Sequence, residues 1–319
     1  MQLQWLRGFL DQPIRKGIEL WIRLVYWAVG KQLDFGVLNA RYHSWRIGFW
    51  VLKSWLTSQI HGLTRREIPS SDDLVIVSGA DSTHYLSLTN LLRSLYVCMP
   101  ESKVVVFDLG MTDTENVELA KRFKKVEFRK FDYSKYPAYF NIRVNAGQYA
   151  WKPAIIADTM NEFKRPVIWM DAGTLIHARL DRTRNVIKEH GLFIRKSVLN
   201  CLISRCIHPE TLRYLGLPDK WLDSLEFEAG FIGVDYANIK VREMINRWKE
   251  CALVRECIAP EGSNKSNHRQ DQGVLTVLIY LFLSDEMSSF LSDETSDHIH
   301  WVMRKEFSTH NDIDRLRQT

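Results

Sequence analysis

Three acidic residues stand where a folded chain could turn them to chemistry. Asp171 ends the run Pro166-Val167-Ile168-Trp169-Met170-Asp171-Ala172-Gly173, in which four consecutive apolar residues lead straight into a carboxylate and then a glycine. Such a run reads as a strand buried on both faces and closed by a turn. In an α/β sheet, ligands gather beyond the carboxyl ends of the strands, so Asp171 would be presented there; the plainer alternative is an ordinary strand-ending turn. Glu228 lies in Glu226-Phe227-Glu228-Ala229-Gly230-Phe231, where small residues between carboxylates and an apolar strand let a backbone approach a ligand closely. Asp271 belongs to the polar cluster Asn267-His268-Arg269-Gln270-Asp271-Gln272, just ahead of an apolar stretch of helical period. A helix starting there would aim free amides at an anion, and Asp271 would sit in its first turn, either in chemistry or simply stabilising the helix start.

The elements that would carry these residues alternate. Residues 74–78 are an apolar strand ended by Gly79, followed by a helix over about 84–96 capped by Ser82 or Thr83. A second strand covers 103–108, a helix runs from Thr112-Asp113 to about Phe123, and 126–131 alternates as a strand near an edge does. A helix over about 148–162 then leads into the strand of Asp171. Repeated units of this length predict an α/β fold, a mainly parallel sheet with helices on both faces. The first turn, Ser78-Gly79-Ala80-Asp81-Ser82-Thr83-His84, lacks the three-glycine dinucleotide fingerprint, and no Walker sequence occurs. A nucleotide could still lie against it, with Asp108 at the next strand end facing a base or ribose; as single residues, both also suit plain capping and turn roles.

Composition separates the first 70 residues from the rest. Of 319 residues, 45% are hydrophobic and 25% charged, which excludes general disorder. Residues 1–66 hold ten Lys/Arg against three Asp/Glu, a net +7 in a chain of formal charge +5, and six of the eleven tryptophans. Ile14, Ile18, Trp21, Ile22, Val25 and Val29 form one helical stripe, and Trp45, Phe49, Leu52, Leu56 and Ile60 another. Arg23, Lys31 and Lys53 interrupt any membrane-spanning run, and no signal-peptide pattern is present. The expectation is a Trp-rich, basic amphipathic helical segment over 1–70 that lies on a membrane surface through residues 1–66, or that docks on the rest of the chain or a partner. The cations alternate with apolar residues and make no continuous patch, so nucleic acid is not an expected partner. Five cysteines, an odd number, indicate no disulfide framework and a reducing, cytoplasmic setting, with buried free thiols favoured over a loosely spaced zinc site of Cys201, Cys206, Cys251, Cys257 and His208.

Taken in order, the strand-turn at 74–81, Tyr149-Ala150-Trp151-Lys152-Pro153, Ile168-Trp169-Met170-Asp171-Ala172-Gly173, Glu228-Ala229-Gly230-Phe231 and Arg269-Gln270-Asp271-Gln272 resemble nucleotide-sugar glycosyltransferases of the GT-A fold, especially the glycogenin-like group and related polysaccharide and lipid-glycan enzymes. The resemblance covers about residues 72–280 and implies a single GT-A-like domain over 71–319. It implies a nucleotide-sugar donor held by Ser78, Gly79, Ala80, Asp81, Asp108, Lys152, Asp171, Gly173 and Arg269, and a glycan or lipid-linked acceptor. Asp171 falls at the first position of the family's Asp-X-Asp motif, whose carboxylates hold Mn²⁺ or Mg²⁺ on the diphosphate. Gly173 replaces the second carboxylate. The resemblance therefore implies either completion of the metal site by a C-terminal histidine, His300 among His298 and His310, or neutralisation of the diphosphate by Lys152 and Arg269. Asp271 is implied as the sugar-binding carboxylate or general base, with Glu228 as second choice. The Ala-Gly pair after Glu228 resembles retaining enzymes, in which the leaving phosphate takes the proton. Two other readings stand beside it: a non-catalytic glycan-binding or scaffold protein with a degenerate site, and a sugar nucleotidyltransferase, disfavoured by the absence of a glycine-rich basic loop after the first strand.

Overall fold

Strand parity explains how the sheet is covered. In the computed structural model, residues 73–176, 179–197, 201–287 and 299–301 are described, the last three as backbone, and all lie in a unit spanning Pro69–His310. The amphipathic segment at 1–70, with its expected membrane contact, and His298 and His310 fall outside the described residues. In chain order the elements are β1 (Val75–Asp81), α1 (Tyr85–Cys98), β2 (Lys103–Gly110), α2 (Asp113–Arg122), β3 (Val126–Lys130), α3 (Trp151–Phe163), β4 (Val167–Met170), β5 (Thr174–Ile176), α4 (Asp181–His190), β6 (Leu192–Phe193), α5 (Pro209–Leu215), β7 (Phe231–Val234), α6 (Ile239–Ala252), α7 (Gln270–Leu283) and β8 (Ile299–Trp301), with single turns at Ile203–Cys206 and Arg255–Ile258. Successive side chains of a strand face opposite ways. Val75, Val77, Val167, Trp169, Ile232 and Val234 therefore pack with α3, α6 and α7 in one core. Ile76, Val104, Val106, Ile168, Met170 and Phe231 pack with α1 in the other.

The main sheet runs β3-β2-β1-β4-β7-β6. β1 to β4 pair in parallel, whereas β7 is antiparallel to both β4 and β6. The expected mainly parallel sheet is thus a mixed one with a single reversed strand, and β3 is its edge, as the alternation predicts. β5 and β8 form a separate antiparallel pair with Leu175 opposite His300. β1 and β4 stop pairing at Val77 and Trp169, while β1 stays with β2 as far as Gly110 and β4 with β7 as far as Phe231. A crevice between diverging strands opens there, at the point where the chain order reverses direction across the sheet.

Several boundaries differ from the sequence reading, each for a local reason. α2 begins where predicted, because Thr112 and Glu115 close a reciprocal capping box. Ser82 does not cap α1; it lies in a 3-10 turn and donates to Glu115 at 2.6 Å. α3 begins at Trp151 and not at 148, since residues 145–149 all have positive φ. Pro153 fits that start, as proline is tolerated only in a helix's first turn.

The cysteine expectation is corrected. Cys201 pairs with Cys206 and Cys251 with Cys257, with Cα–Cα distances of 6.2 and 5.4 Å, within the range a disulfide spans. Cys98 is the free thiol, buried, and its burial pushes it up to about 12. Spacing could not reveal this, because two short loops closed by turns bring each pair together. No helix of the described residues is long and apolar enough to cross a membrane. Alkylation of the unfolded, unreduced chain followed by mass spectrometry is expected to modify one cysteine, Cys98, and all five after reduction; modification of all five without reduction would refute the pairing.

Candidate active site

Asp171 shares the parity of Val167 and Trp169, so it emerges from β4 on the side covered by α3 and α7. There it meets the first turns of both helices. Lys152 Nζ lies 3.0 Å from Asp171 Oδ1 and 3.1 Å from Asp271 Oδ2, and donates to the Ala229 carbonyl at 3.3 Å. The ammonium thus has one hydrogen bond, to the Ala229 carbonyl, and two close ion-pair contacts, of which Asp271 Oδ2 has no aligned hydrogen bond. The Lys152 side chain is 5% exposed and that of Asp271 7%, against 39% for Asp171. Trp169 Nε1 donates to Asp171 Oδ1 at 2.7 Å, and the Trp169 and Tyr149 rings each stand 5.8 Å from Nζ. Both distances suit attraction between a cation and an aromatic face.

The second carboxylate changes the proton balance. Burial alone would drive the proton off Lys152, but the charges of Asp171 and Asp271 and hydrogen bonds to both outweigh it and hold the amine protonated. One ammonium cannot neutralise two carboxylates. Burial, only partly offset by Lys152 and reinforced by the charge of Asp171, pushes Asp271 up to about 6. Tyr149 is raised by burial and then by Asp271, against the pull of Lys152, with smaller contributions from Asp171 and Asp81. Its phenol therefore faces carboxylates from β1, β4 and α7 at once.

The fixed backbone around this cluster is unusual. Asn145, Ala146, Gly147, Gln148 and Tyr149 have φ of 49, 53, 63, 51 and 54°, a left-handed turn built mostly from residues that disfavour it. Hydrogen bonds from Gly147 N to Val144 O, Ala150 N to Gly147 O and Trp151 Nε1 to Ala146 O hold it. Strained backbone persists where the surroundings over-determine it; here it delivers Tyr149 and Lys152 to the crevice. On the other side, Asp171 N bonds Gly230 O, Ala229 N bonds Gln272 and Phe227 N bonds Thr276, so α7 and the 226–230 segment are locked together. Trp248 Nε1 donates to Asp271 O at 3.0 Å, fixing the start of α7.

A cleft of ≈ 610 Å³, a size suited to a small ligand, adjoins the end of β1 and is lined by Asp81, Ser82, Thr83, Gly110, Met111, Thr112, Asp113, Ile142 and Arg143. Burial raises the Asp81 carboxyl, but hydrogen bonds from His84 and Thr83 outweigh it and leave it below the usual range. Ser78, Gly79 and Ala80 are buried within β1 and are not part of the cleft lining. Asp108 is not available to a ligand as expected: its carboxylate accepts from Gly110 N, Met111 N and Asn116 Nδ2, the turn-closing role. Gly173 lies in the tight turn closed by Thr174 N to Asp171 O. Arg269 precedes α7, bonds Cys206 O through its backbone, and directs its charge to Glu226. Glu228 stands 4.0 Å from Arg195 Nε, its side chain 13% exposed. Sequence reasoning missed Tyr149, Arg143 and Glu226. Glu226 is fully buried and raised by burial against hydrogen bonds from Gln272 and Ser197; it lies two residues before Glu228 on an extended segment, hence on the same face.

The described donor set does not fit a hard divalent cation. Such ions are held by one or two carboxylates, with water and phosphate oxygens filling the remaining positions, but here the one carboxylate of the turn, Asp171, already has its Oδ1 against the Lys152 ammonium and bonded by Trp169. A charge placed 4 Å from the ammonium would be repelled by about 4 kcal/mol per unit charge at an effective dielectric of about 20. Among the described residues, the metal-ligand grouping found is Cys201, Cys206 and Glu226, whose sulfurs are already bonded to each other. Of His300, only its backbone place opposite Leu175 is described.

A family model described as a protein of unknown function, DUF1647, matches residues 56–157. None of the curated proteins matches the chain. Solved structures to which it is similar are glycosyltransferases: the galactosyltransferase LgtC in complex with donor and acceptor sugar analogues, at 17% identity and TM-score 0.45 over 65% of this chain and 70% of that one; core-mannan synthase A from Aspergillus fumigatus in a Mn/GDP form, at 10%, 0.41, 65% and 69%; and mouse xyloside xylosyltransferase 1, at 11%, 0.40, 66% and 82%.

Two measurements test this geometry. A Cβ at position 147 would collide with the Phe140 carbonyl and adopt a positive φ, so Gly147→Ala is expected to cost about 3 kcal/mol, a fall of roughly 10 °C in Tm; an unchanged Tm would refute the left-handed turn. Asp271 binds its proton more tightly folded, at about 6, than at its ordinary 3.8. Between those values the folded state holds more protons than the unfolded one, so stability falls as pH rises from about 4 to about 6. Thermal melts across that window are expected to show this decline in the native chain and its loss in Asp271→Asn.

Proposed function

We propose that the chain is a glycosyltransferase that moves a sugar from a nucleotide-sugar donor to a glycan or lipid-linked acceptor. The observation that carries the reading is the convergence of Asp171, Lys152 and Asp271 beyond the point where β1 and β4 cease to pair, with a separate cleft at the end of β1 lined by Asp81 and Arg143. Under this reading the nucleotide lies in the cleft against Asp81, and the exposed Arg143 guanidinium at its rim meets the diphosphate, taking the place first expected of Lys152. The Lys152 side chain is 5% exposed and already in contact with two carboxylates.

Transfer breaks the bond from the anomeric carbon to the diphosphate oxygen, which keeps the electron pair. The acceptor hydroxyl oxygen forms the new bond and gives up its proton. Positive charge grows on the sugar and negative charge on the leaving group, so a carboxylate beside the sugar and a guanidinium beside the phosphate both act on the transition state. Asp271, at about 6, is ionised at neutral pH and poised either to take the acceptor's proton or to steady the sugar's charge. Where the sugar keeps its configuration, the leaving phosphate takes that proton instead. Glu228, the less buried of the two acids before Ala229, would be the one to face a sugar hydroxyl, while Glu226 is fully buried.

The scaffold reading is disfavoured on energetic grounds, since a buried ion cluster is poor stabilisation compared with apolar packing. The nucleotidyltransferase reading lacks its basic loop: β1 is followed by the short turn Ser82–His84. Two disulfides in one domain suit an oxidising compartment better than the reducing one first expected. Residues 1–66 remain our candidate for contact with a membrane surface. The decisive assay incubates the full chain with UDP- and GDP-hexoses, with and without Mn²⁺, and follows nucleotide release. Turnover of at least one donor is expected, reduced about 100-fold or more by Asp271→Asn; no binding or turnover of any donor would overturn the proposal.

A further inference from the structure

We propose that Lys152 is the resident cation of this site and that Asp171 holds no divalent metal. The Asp171 carboxylate is already engaged on Oδ1 by two donors, the Lys152 ammonium at 3.0 Å and the Trp169 indole at 2.7 Å. The second acid that could share a cation with it, Asp271, gives its Oδ2 to the same ammonium at 3.1 Å. A cation already stands between the two carboxylates, where a metal bridging them would have to be.

Nor can that cation easily withdraw. The Lys152 side chain is 5% exposed, it is held by two carboxylates in ion-pair contact and by a hydrogen bond to the Ala229 carbonyl, and Tyr149 and Trp169 flank it with their ring faces. Moving it aside would bury an ammonium without partners. Glycine at 173 removes the remaining carboxylate that could draw a metal to the turn.

Metal binding reads this assignment whether or not the chain transfers sugar. The full chain would be titrated with Mn²⁺ and the free-ion EPR signal followed, alone and with UDP or GDP, against nucleotide-only controls. The native chain is expected to take up no Mn²⁺ beyond those controls, and Lys152→Arg, which keeps the cation, to behave the same way. Lys152→Met strips the ammonium from between two carboxylates and is expected to bind Mn²⁺ at least tenfold more tightly than the native chain. Should Lys152→Met fail to fold, the comparison of the native chain with Asp171→Asn decides. Mn²⁺ uptake by the native chain that Asp171→Asn abolishes would overturn the proposal; uptake that survives Asp171→Asn belongs to another place and leaves Asp171 metal-free. In any donor assay that shows turnover, EDTA is expected to change the rate less than twofold, and an EDTA loss restored by Mn²⁺ would also overturn it.

Discussion

An ammonium removed from water must find acceptors for three N–H groups and opposite charge nearby, or it costs several kcal/mol. Lys152 finds its counter-charges in Asp171 and Asp271 and a hydrogen-bond acceptor in the Ala229 carbonyl, which come from the end of β4, the start of α7 and the segment leading into β7. The requirement therefore sets where three separately encoded pieces of chain end. The hydrogen bonds from Ala229 N to Gln272, Phe227 N to Thr276 and Asp171 N to Gly230 O repeat the same junction in backbone terms. The ion cluster and the strand ends specify one another.

The left-handed turn before α3 shows the compensation such a junction needs. Five consecutive positive φ values are unfavourable for residues carrying a Cβ, and only one of the five is glycine. That glycine stands where a Cβ would strike Phe140, and the flanking Trp151 indole ties the turn through Ala146. Phe140 itself is fully buried, stacked on Tyr136. Packing energy in the aromatic cluster thus holds a strained backbone, and the strained backbone aims Tyr149 and Lys152.

Much of this was legible in the sequence because it follows from periodicity. The buried strands β1, β2 and β4, the edge character of β3 and the start of α2 at Thr112-Asp113 all follow from local patterns that tertiary contacts reinforce. The direction of β7 was not legible: Phe231-Ile232-Gly233-Val234 is buried on both faces and reads alike parallel or antiparallel. Asp108 shows the opposite limit, since an aspartate ending a strand looks the same whether it awaits a ligand or closes a turn, and only its three bonded donors decide. The disulfides, the meeting of Lys152 with two distant acids and the exposure of Arg143 depend on long-range closure, which no window of sequence contains.

Two carboxylates sharing one ammonium form a device with more consequence than a simple ion pair. When Asp271 is ionised, Lys152 divides its attraction and the cluster carries net negative charge. When Asp271 is protonated, the ammonium belongs to Asp171 alone and the cluster is neutral. A positive charge arriving near Asp271 draws its proton equilibrium toward the ionised form. The same burial that makes this carboxylate costly to ionise makes its charge strong when a positive centre arrives, because little water screens it. An apolar filling of the same volume would stabilise the fold as well or better, but it could not respond in that way.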